Sequence, residues 1–516
     1  MATETATRQP TIESTGSSSS GELVKGLGLF DATMLVVGSM IGSGIFIVSA
    51  DIAHQVQGPG LLIVVWLASG LVTLIGALSF GELAAAMPHA GGQYVYLRES
   101  CGAVFGFLYG WTMLLVIQTA TIAAVAIALA KFSGVIWPWF SPTEWIWKIG
   151  TFGPWHPWFG QLGPYDVGLN RQNLLAILSI VLLTWINTRG LRLGKIVQNV
   201  FTVAKIAALA GLVLLGFVFS TTIARSANFT GFWRNAGWSA MHPYPPDSST
   251  WMIGTITLVG VAMVGSLFAM DAWNSVTFTA AEVKSPGRNL PLSLALGTGI
   301  VILLYVLANV AYLRVLPLSG ELHGATAMAR GIEFAAEGRV ATAVASVAFG
   351  PAGAILMAIA ILISTFGCNN GLILSGARIY YAMANDGLFF RSVGTVNRNH
   401  VPAVALVAQC IWASALCLSG TYGQLLDFLI FAQLLFYILT LAGLFVLRWQ
   451  RPDMARPYRA LGYPVLPALY ILAAGFLEIQ LLRYKPQYTW PGLIIVLLGL
   501  PVYGIWKWAG KRPAES

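Results

Sequence analysis

The sequence predicts an all-α integral membrane protein of about twelve transmembrane helices, two of them broken near mid-membrane. Three observations predict it. Hydrophobic residues make up 57% of the chain and charged residues only 9%, with a mean hydropathy of +0.73; a soluble chain carries about a quarter charged residues. Apolar stretches of about 20 residues, each able to cross the hydrocarbon core, recur along the whole length. Two of those stretches are interrupted by residues that a lipid-buried helix has little reason to accept.

Taken in order, residues 1–22 are rich in Thr, Ser, Glu and Gly and are expected to form a disordered tail. Apolar segments follow at 29–50, 61–86, 103–131, 171–188, 197–220, 251–281, 291–315, 345–384, 402–419, 423–448, 464–482 and 488–508. The first is not expected to be a signal peptide, because no short apolar core with a small-residue cleavage site is present. The 345–384 segment is longer than one crossing needs, so it is expected to tilt or to run past the bilayer. No second domain or long polar linker interrupts 23–510, which leaves a single transmembrane domain and a short 511–516 tail.

The net charge of +9 does not point to nucleic acid. Arg189, Arg192 and Lys195, and again Arg448, Arg451, Arg456 and Arg459, cluster in loops on the side of the N-terminal tail. That bias favours both termini in the cytoplasm, and the plasma membrane is the expected setting. Three loops stand out on the other side. The 137–170 loop holds Trp137, Trp139, Trp145, Trp147, Trp155 and Trp158. An interfacial belt and a lid or partner surface are both open readings. The 223–250 loop contains a Pro-rich Trp238–Pro246 stretch, and the 316–344 loop is polar enough for short helices outside the membrane.

Cys101, Cys368, Cys410 and Cys417 read as small buried hydrophobes, because none lies in a long outer loop where a disulfide would form. The six histidines show no metal-ligand spacing, and no phosphate loop or nucleophile motif is present. No cofactor and no metal are expected.

The first interruption is Val37-Gly38-Ser39-Met40-Ile41-Gly42-Ser43-Gly44-Ile45-Phe46. Each glycine costs about 1 kcal/mol against alanine in a helix, so three together predict backbone that opens onto a cavity. The half-helix beginning near Gly44 presents unpaired N–H groups and a positive dipole end, which suit a carboxylate. The half ending near Ile41 presents carbonyls, which suit an ammonium. Close helix packing through glycine is the competing reading. The sixth segment supplies the second interruption, Ser266-Leu267-Phe268-Ala269-Met270-Asp271-Ala272-Trp273-Asn274-Ser275. Interrupted segments at matching places in two halves point to a transporter's binding site, and the simplest ligand with both charges is an α-amino acid.

The run Gly38–Phe46 resembles the first-helix motif of the amino acid–polyamine–organocation superfamily, and several further stretches resemble its L-type amino-acid transporter branch. These are Gly81–Ala84 with Pro88–Tyr96, Phe268–Asn274, Glu282–Pro291, and Leu447-Arg448 through Arg456-Pro457-Tyr458. The resemblance implies a LeuT-type fold, with a 5+5 inverted repeat over about 29–222 and 251–449 and two further helices at about 463–508. It also implies Na⁺-independent amino-acid transport, often by exchange. Residue by residue, it implies that Met40, Ile41, Gly42, Ser43 and Gly44 hold the substrate's amino and carboxylate groups. Phe268 becomes an aromatic gate, and Ala269 and Asp271 line the unwound turn. Lys205, in Phe201-Thr202-Val203-Ala204-Lys205, takes the place of a sodium ion and bridges the first break to the eighth segment near Ser364. An intramembrane ammonium must find acceptors in any case, and the freed carbonyls at Ile41–Gly42 are at hand; a snorkelling lysine is the bland alternative.

Departures from the family pattern leave questions open. Many relatives have glycine where Asp271 stands. The acid either favours cationic substrates, neutralises the α-amine or accepts a proton, or it caps a helix half beginning at Trp273. The family's eukaryotic members carry a cysteine in the loop after the third segment that bonds to a single-span partner. This loop has none, so no disulfide-linked heavy chain is expected, as suits a prokaryotic member working alone. Glu82 and Glu282 pair with Arg98, Arg288 or Arg378 as gates, or are plain interfacial charges. Asn369 and Asn370 bond Lys205 or substrate, or join helices. Exchange leads over proton symport. A non-transporting sensor lacks a large cytoplasmic output region here, and an enzyme lacks a reactive constellation.

Overall fold

Backbone inside hydrocarbon must satisfy its own N–H and C=O groups, and a helix does so within one segment. Each of the twelve expected stretches is helical in the computed structural model, which describes residues 23–510 except 159, 162, 234–247, 420–421 and 485. The two tails and the Trp238–Pro246 stretch lie outside the described residues.

The first crossing is α1 (Leu29–Met40) and α2 (Gly44–Val56), bent by 41° at their break. Then come α3 (Pro59–Ala86), a short α4 (Gln93–Cys101), and a third crossing made of α5 (Ala103–Thr112), a π-helical turn at Met113–Ile117 and α6 (Gln118–Ile136). The π turn has a local cause: the Thr119 hydroxyl donates to the Leu114 carbonyl five residues back at 2.6 Å. Next are α7 (Arg171–Thr188), α8 (Leu191–Val218), α9 (Thr222–Phe229), α10 (Ser248–Ala269), α11 (Pro286–Val315) and α12 (Val340–Asn385). The chain ends with α13 (Ala403–Ser419), α14 (Tyr422–Gln450), α15 (Val465–Tyr484) and α16 (Pro486–Gly510). Among the described residues, eight helices are long and apolar enough to cross a membrane, or nine counting the bent pair. Gly254–Ala269 and Ala403–Ser419 are shorter apolar helices; α7 opens on the polar Arg171-Gln172-Asn173.

The 345–384 stretch contains one break, and the helix beyond it, running to Asn385, is still longer than one crossing needs. The chain turns at Gly350 (φ 61°, ψ −145°), just before Pro351, so a short helix precedes the long one. The all-α membrane fold holds, with one local addition outside the helices. Part of the Trp-rich loop is an antiparallel hairpin, β1 (Trp145–Phe152) and β2 (Tyr165–Asn170), with Lys148 opposite Gly168 and Thr151 opposite Asp166. Hydrogen bonds from Lys148 and then Thr151 hold the Asp166 carboxyl below its ordinary range. Trp158 stands against Trp490 at 4.6 Å between ring centres. The 316–344 loop does form short helices, at Ala327–Arg330 and Ala336–Gly338.

Both described ends lie on one face. The Gly26 and Leu27 N–H groups donate to the Glu282 carbonyl at 2.9 and 3.0 Å, and the Trp506 indole donates to the Gly387 carbonyl at 2.9 Å. Inside, α1 and α10 pack among α3, α8, α11 and α12. Buried polar groups meet across helices, Ser49 to Asn309 at 2.7 Å and Ser69 to Ser266 at 2.6 Å.

Candidate functional site

Glycine and serine between residues 38 and 44 let α1 stop inside the protein. Ile41 is extended (φ −77°, ψ 91°), and its N–H makes the last helical bond, to Val37 at 2.9 Å. The carbonyls left behind are served by side chains from three other helices. Lys205 of α8, fully buried, donates to the Gly38 and Ile41 carbonyls at 2.9 and 2.7 Å. Ser364 of α12 lies 3.2 Å from both the Ile41 and Gly42 carbonyls. The Cys368 thiol donates to the Ser39 carbonyl at 3.1 Å, and the Tyr305 hydroxyl of α11 lies 3.1 Å from the Met40 carbonyl and 3.2 Å from that of Ala269. Lys205 and Ser364 therefore meet at one acceptor, Ile41. The first N–H groups of α2, at Gly44 and Ile45, have no acceptor within their helix.

The second break faces the first. α10 ends at Ala269, Ala272 takes a left-handed conformation (φ 65°), and a single helical turn resumes at Ser275–Phe278. The Asp271 carboxylate accepts from the Tyr437 hydroxyl of α14 at 2.6 Å. Tyr437 stacks on Trp273 at 5.0 Å, and Trp273 meets the Phe80 ring edge-on at 4.8 Å. A cavity of about 20 Å³ beside Asp271 is lined by Thr73, Leu267, Gln433, Tyr437 and Tyr470 among others. Phe268 is half-buried at this turn. The helix half expected from Trp273 begins instead at Ser275 with Asn274 as its N-cap residue, so Asp271 stands before the cap and serves Tyr437.

Ion pairs close the terminal face below the breaks. Arg378 of α12 grips Glu282 through two bonds of 3.0 Å, and both residues are about 1% exposed or less. Glu82 pairs with Arg448 at 2.6 Å and Arg456 at 3.2 Å, and accepts the Ala460 N–H. Arg98 pairs with Asp386 and Glu99. Burial opposes the Glu99 charge, but hydrogen bonds from Arg98 and Arg451 hold its carboxyl below the ordinary range.

The family model described as Amino acid permease matches residues 27–500. The chain belongs to the amino acid permease family. This permease is thus a multi-pass membrane transporter of amino acids and not an enzyme. It is 31% identical over 492 residues to the large neutral amino acids transporter small subunit 2 of Oryctolagus cuniculus, covering 95% of this chain and 82% of the relative. Against the b(0,+)-type amino acid transporter 1 of Homo sapiens it is 28% identical over 485 residues, covering 92% and 86%. Against the Asc-type amino acid transporter 1 of Mus musculus the figures are 27% over 497 residues, 95% and 83%.

The structure brings Met40, Ile41, Gly42, Ser43 and Gly44 of the permease together with Ala269, Lys205 and Ser364. It places Phe268 and Asp271 at the facing turn. Asn370 joins helices: it donates to Gly194 at 3.1 Å and Gln198 at 3.0 Å and accepts from Asn187 at 2.9 Å. The Asn369 amide is buried with no hydrogen-bond partner among the described residues. Of the expected gate pairs, Glu282–Arg378 is present, whereas Glu82 takes Arg448 and Arg456 instead of Arg98 or Arg288. Sequence reasoning missed Tyr305, Cys368 and Tyr437. Their only signal was a polar tip in an apolar helix, and which way it points depends on helix rotation.

Proposed function

We propose that this permease exchanges amino acids across the plasma membrane without sodium, by alternating access, with both termini in the cytoplasm. The supporting observation is Lys205, a buried ammonium on the Gly38 and Ile41 carbonyls where α1 opens. A cation supplied by the chain keeps those carbonyls satisfied, so the break needs no dissolved ion to hold its shape. The substrate carboxylate binds the N–H groups that head α2 at Gly44, with Gly42 and Ser43 leaving room for its approach. Ile41 already accepts from both Lys205 and Ser364, so the α-amine binds toward the carbonyls of Phe268 and Ala269 and toward Asp271. Phe268 closes over the substrate.

Breaks at matching positions support two repeats over about 29–222 and 251–449, with two added helices at about 463–508. A relative named for large neutral amino acids supports a neutral amino acid as substrate. Asp271, lining a cavity beside the break, favours a second reading in which a cationic side chain is also accepted. The loop after the third segment has no cysteine with which to bond a heavy chain, which supports a permease that works without a disulfide-linked partner.

Counterflow in proteoliposomes tests this reading. Vesicles preloaded with an unlabelled amino acid should take up the labelled one in sodium-free buffer, and empty vesicles should not. A sodium requirement, or equal uptake into empty vesicles, would refute it.

A further inference from the structure

Glu478 is a carboxyl that nothing above uses. It lies on α15 at 7% exposure, and neither of its oxygens has a hydrogen-bond partner among the described residues. Tyr470, Ala474, Leu477, Glu478 and Leu481 form one buried stripe at helical spacing. That helix packs against α14, α3, α10 and α16, and Gly260 of α10 lies close to Leu477. At the other end of the stripe, Tyr470 lines the same small cavity as Asp271, Tyr437 and Gln433. The Gln433 side-chain oxygen is also buried without a partner. Two helical turns, about 12 Å, separate Tyr470 from Glu478.

The titratable groups facing this region are Tyr470 on the same helix, Tyr437 on α14 and Asp271 at the end of α10. Among the described residues, neither α3 nor α16 adds one beside Glu478, and no cationic side chain opposes it. A buried carboxyl inside a membrane bundle marks an ion or proton path more often than a structural contact. A metal ion would need several donors, and no group of three His, Cys, Asp or Glu residues able to hold one occurs among the described residues. A proton needs only one oxygen. The cavity of about 20 Å³ beside Asp271 and Tyr470 has room for one water.

We propose that Glu478 binds and releases one proton in each transport cycle, so that amino-acid movement is linked to proton movement. The carboxylate takes a proton to become the neutral acid and returns it, with no other bond made or broken. The proposal rests on the transport reading above.

The test uses the full chain in vesicles preloaded with amino acid. An inward proton gradient of one pH unit should raise accumulation, by up to about tenfold for one-to-one coupling. Glu478→Gln should abolish that response, and Glu478→Asp should keep part of it. Exchange indifferent to the gradient, or a Glu478→Gln protein that responds like the native one, overturns the proposal and leaves the transport reading intact. Failure of counterflow itself overturns both. Should Glu478→Gln not fold, dicyclohexylcarbodiimide, which attacks protonated carboxyls in apolar surroundings, decides on the native protein. An adduct at Glu478 that declines as pH rises supports the proposal; no adduct, or one indifferent to pH, overturns it.

Discussion

Gly44 lies directly against Ala269: a Cβ built on Gly44 would stand 2.6 Å from the Ala269 Cβ and 2.9 Å from its Cα. The two helix breaks thus meet through backbone, and no flexible side chain can move aside. Gly44→Ala should force them apart, at a cost of about 1–3 kcal/mol, and lower substrate affinity about tenfold or more. Gly211→Ala on α8, where nothing lies within 4 Å, is the matched control and should bind normally. Equilibrium binding of labelled substrate to the two purified variants checks this. Equal affinities would place the substrate elsewhere.

Among the described residues, Lys205→Ala removes the only side-chain donor on the Gly38 carbonyl and leaves Ile41 with Ser364 alone. A buried acceptor without a partner costs about 1–3 kcal/mol, which the rest of the bundle can absorb while the break loses its fixed shape. Counterflow should therefore fall about tenfold or more while the yield of monodisperse protein falls less. A variant that exchanges at the native rate would show that the ammonium is not needed to hold the break.

Asp271 accepts from Tyr437 at 2.6 Å beside the cavity. If the carboxylate faces a cationic substrate side chain, Asp271→Asn keeps the hydroxyl's acceptor but loses the charge. Arginine or ornithine affinity should then drop about tenfold while neutral amino acids change little. Tyr437→Phe removes the hydroxyl and spares the charge, so it should affect both substrate classes alike. A competition panel on both variants measures this. An unchanged profile for Asp271→Asn would leave the carboxylate as a structural acceptor for Tyr437.

How much of this was legible in the sequence follows from which physical signal each feature leaves. The crossings leave about 20 apolar residues apiece, and all twelve stretches were placed. The two breaks announce themselves, because Gly42-Ser43-Gly44 and Asp271 make no sense inside an intact lipid-buried helix. Lys205 was legible for the same reason. The turn at Gly350 was hidden inside a continuous apolar run. The hairpin at Trp145–Phe152 was obscured by a tryptophan content that reads first as an interfacial belt, and its register shifts at Trp145/Trp147 and Lys148/Gly150 break the period of two that marks a strand. Partners could not be read where they depend on rotation about a helix axis. Glu82 and Arg448 are 366 positions apart, and nothing local says that they meet.

The Glu282–Arg378 pair shows what such a meeting is worth. Both side chains are buried, and the two hydrogen bonds of 3.0 Å run in parallel from guanidinium to carboxylate. Glu282 directly follows the sixth segment, and its own carbonyl also accepts from the Gly26 and Leu27 N–H groups. The pair thus ties α12 to the segment that must move if the terminal face opens. Removing one partner strands the other charge at a cost of about 3–5 kcal/mol, whereas removing both costs much less. Glu282→Ala and Arg378→Ala should each lower the melting temperature of the purified permease by several degrees. The double variant should recover most of the loss, and it should favour the conformation open at the terminal face. A thermal-melt double-mutant cycle reads the coupling. Single losses that simply add would mean that the two charges are independently solvated and that the latch does not exist.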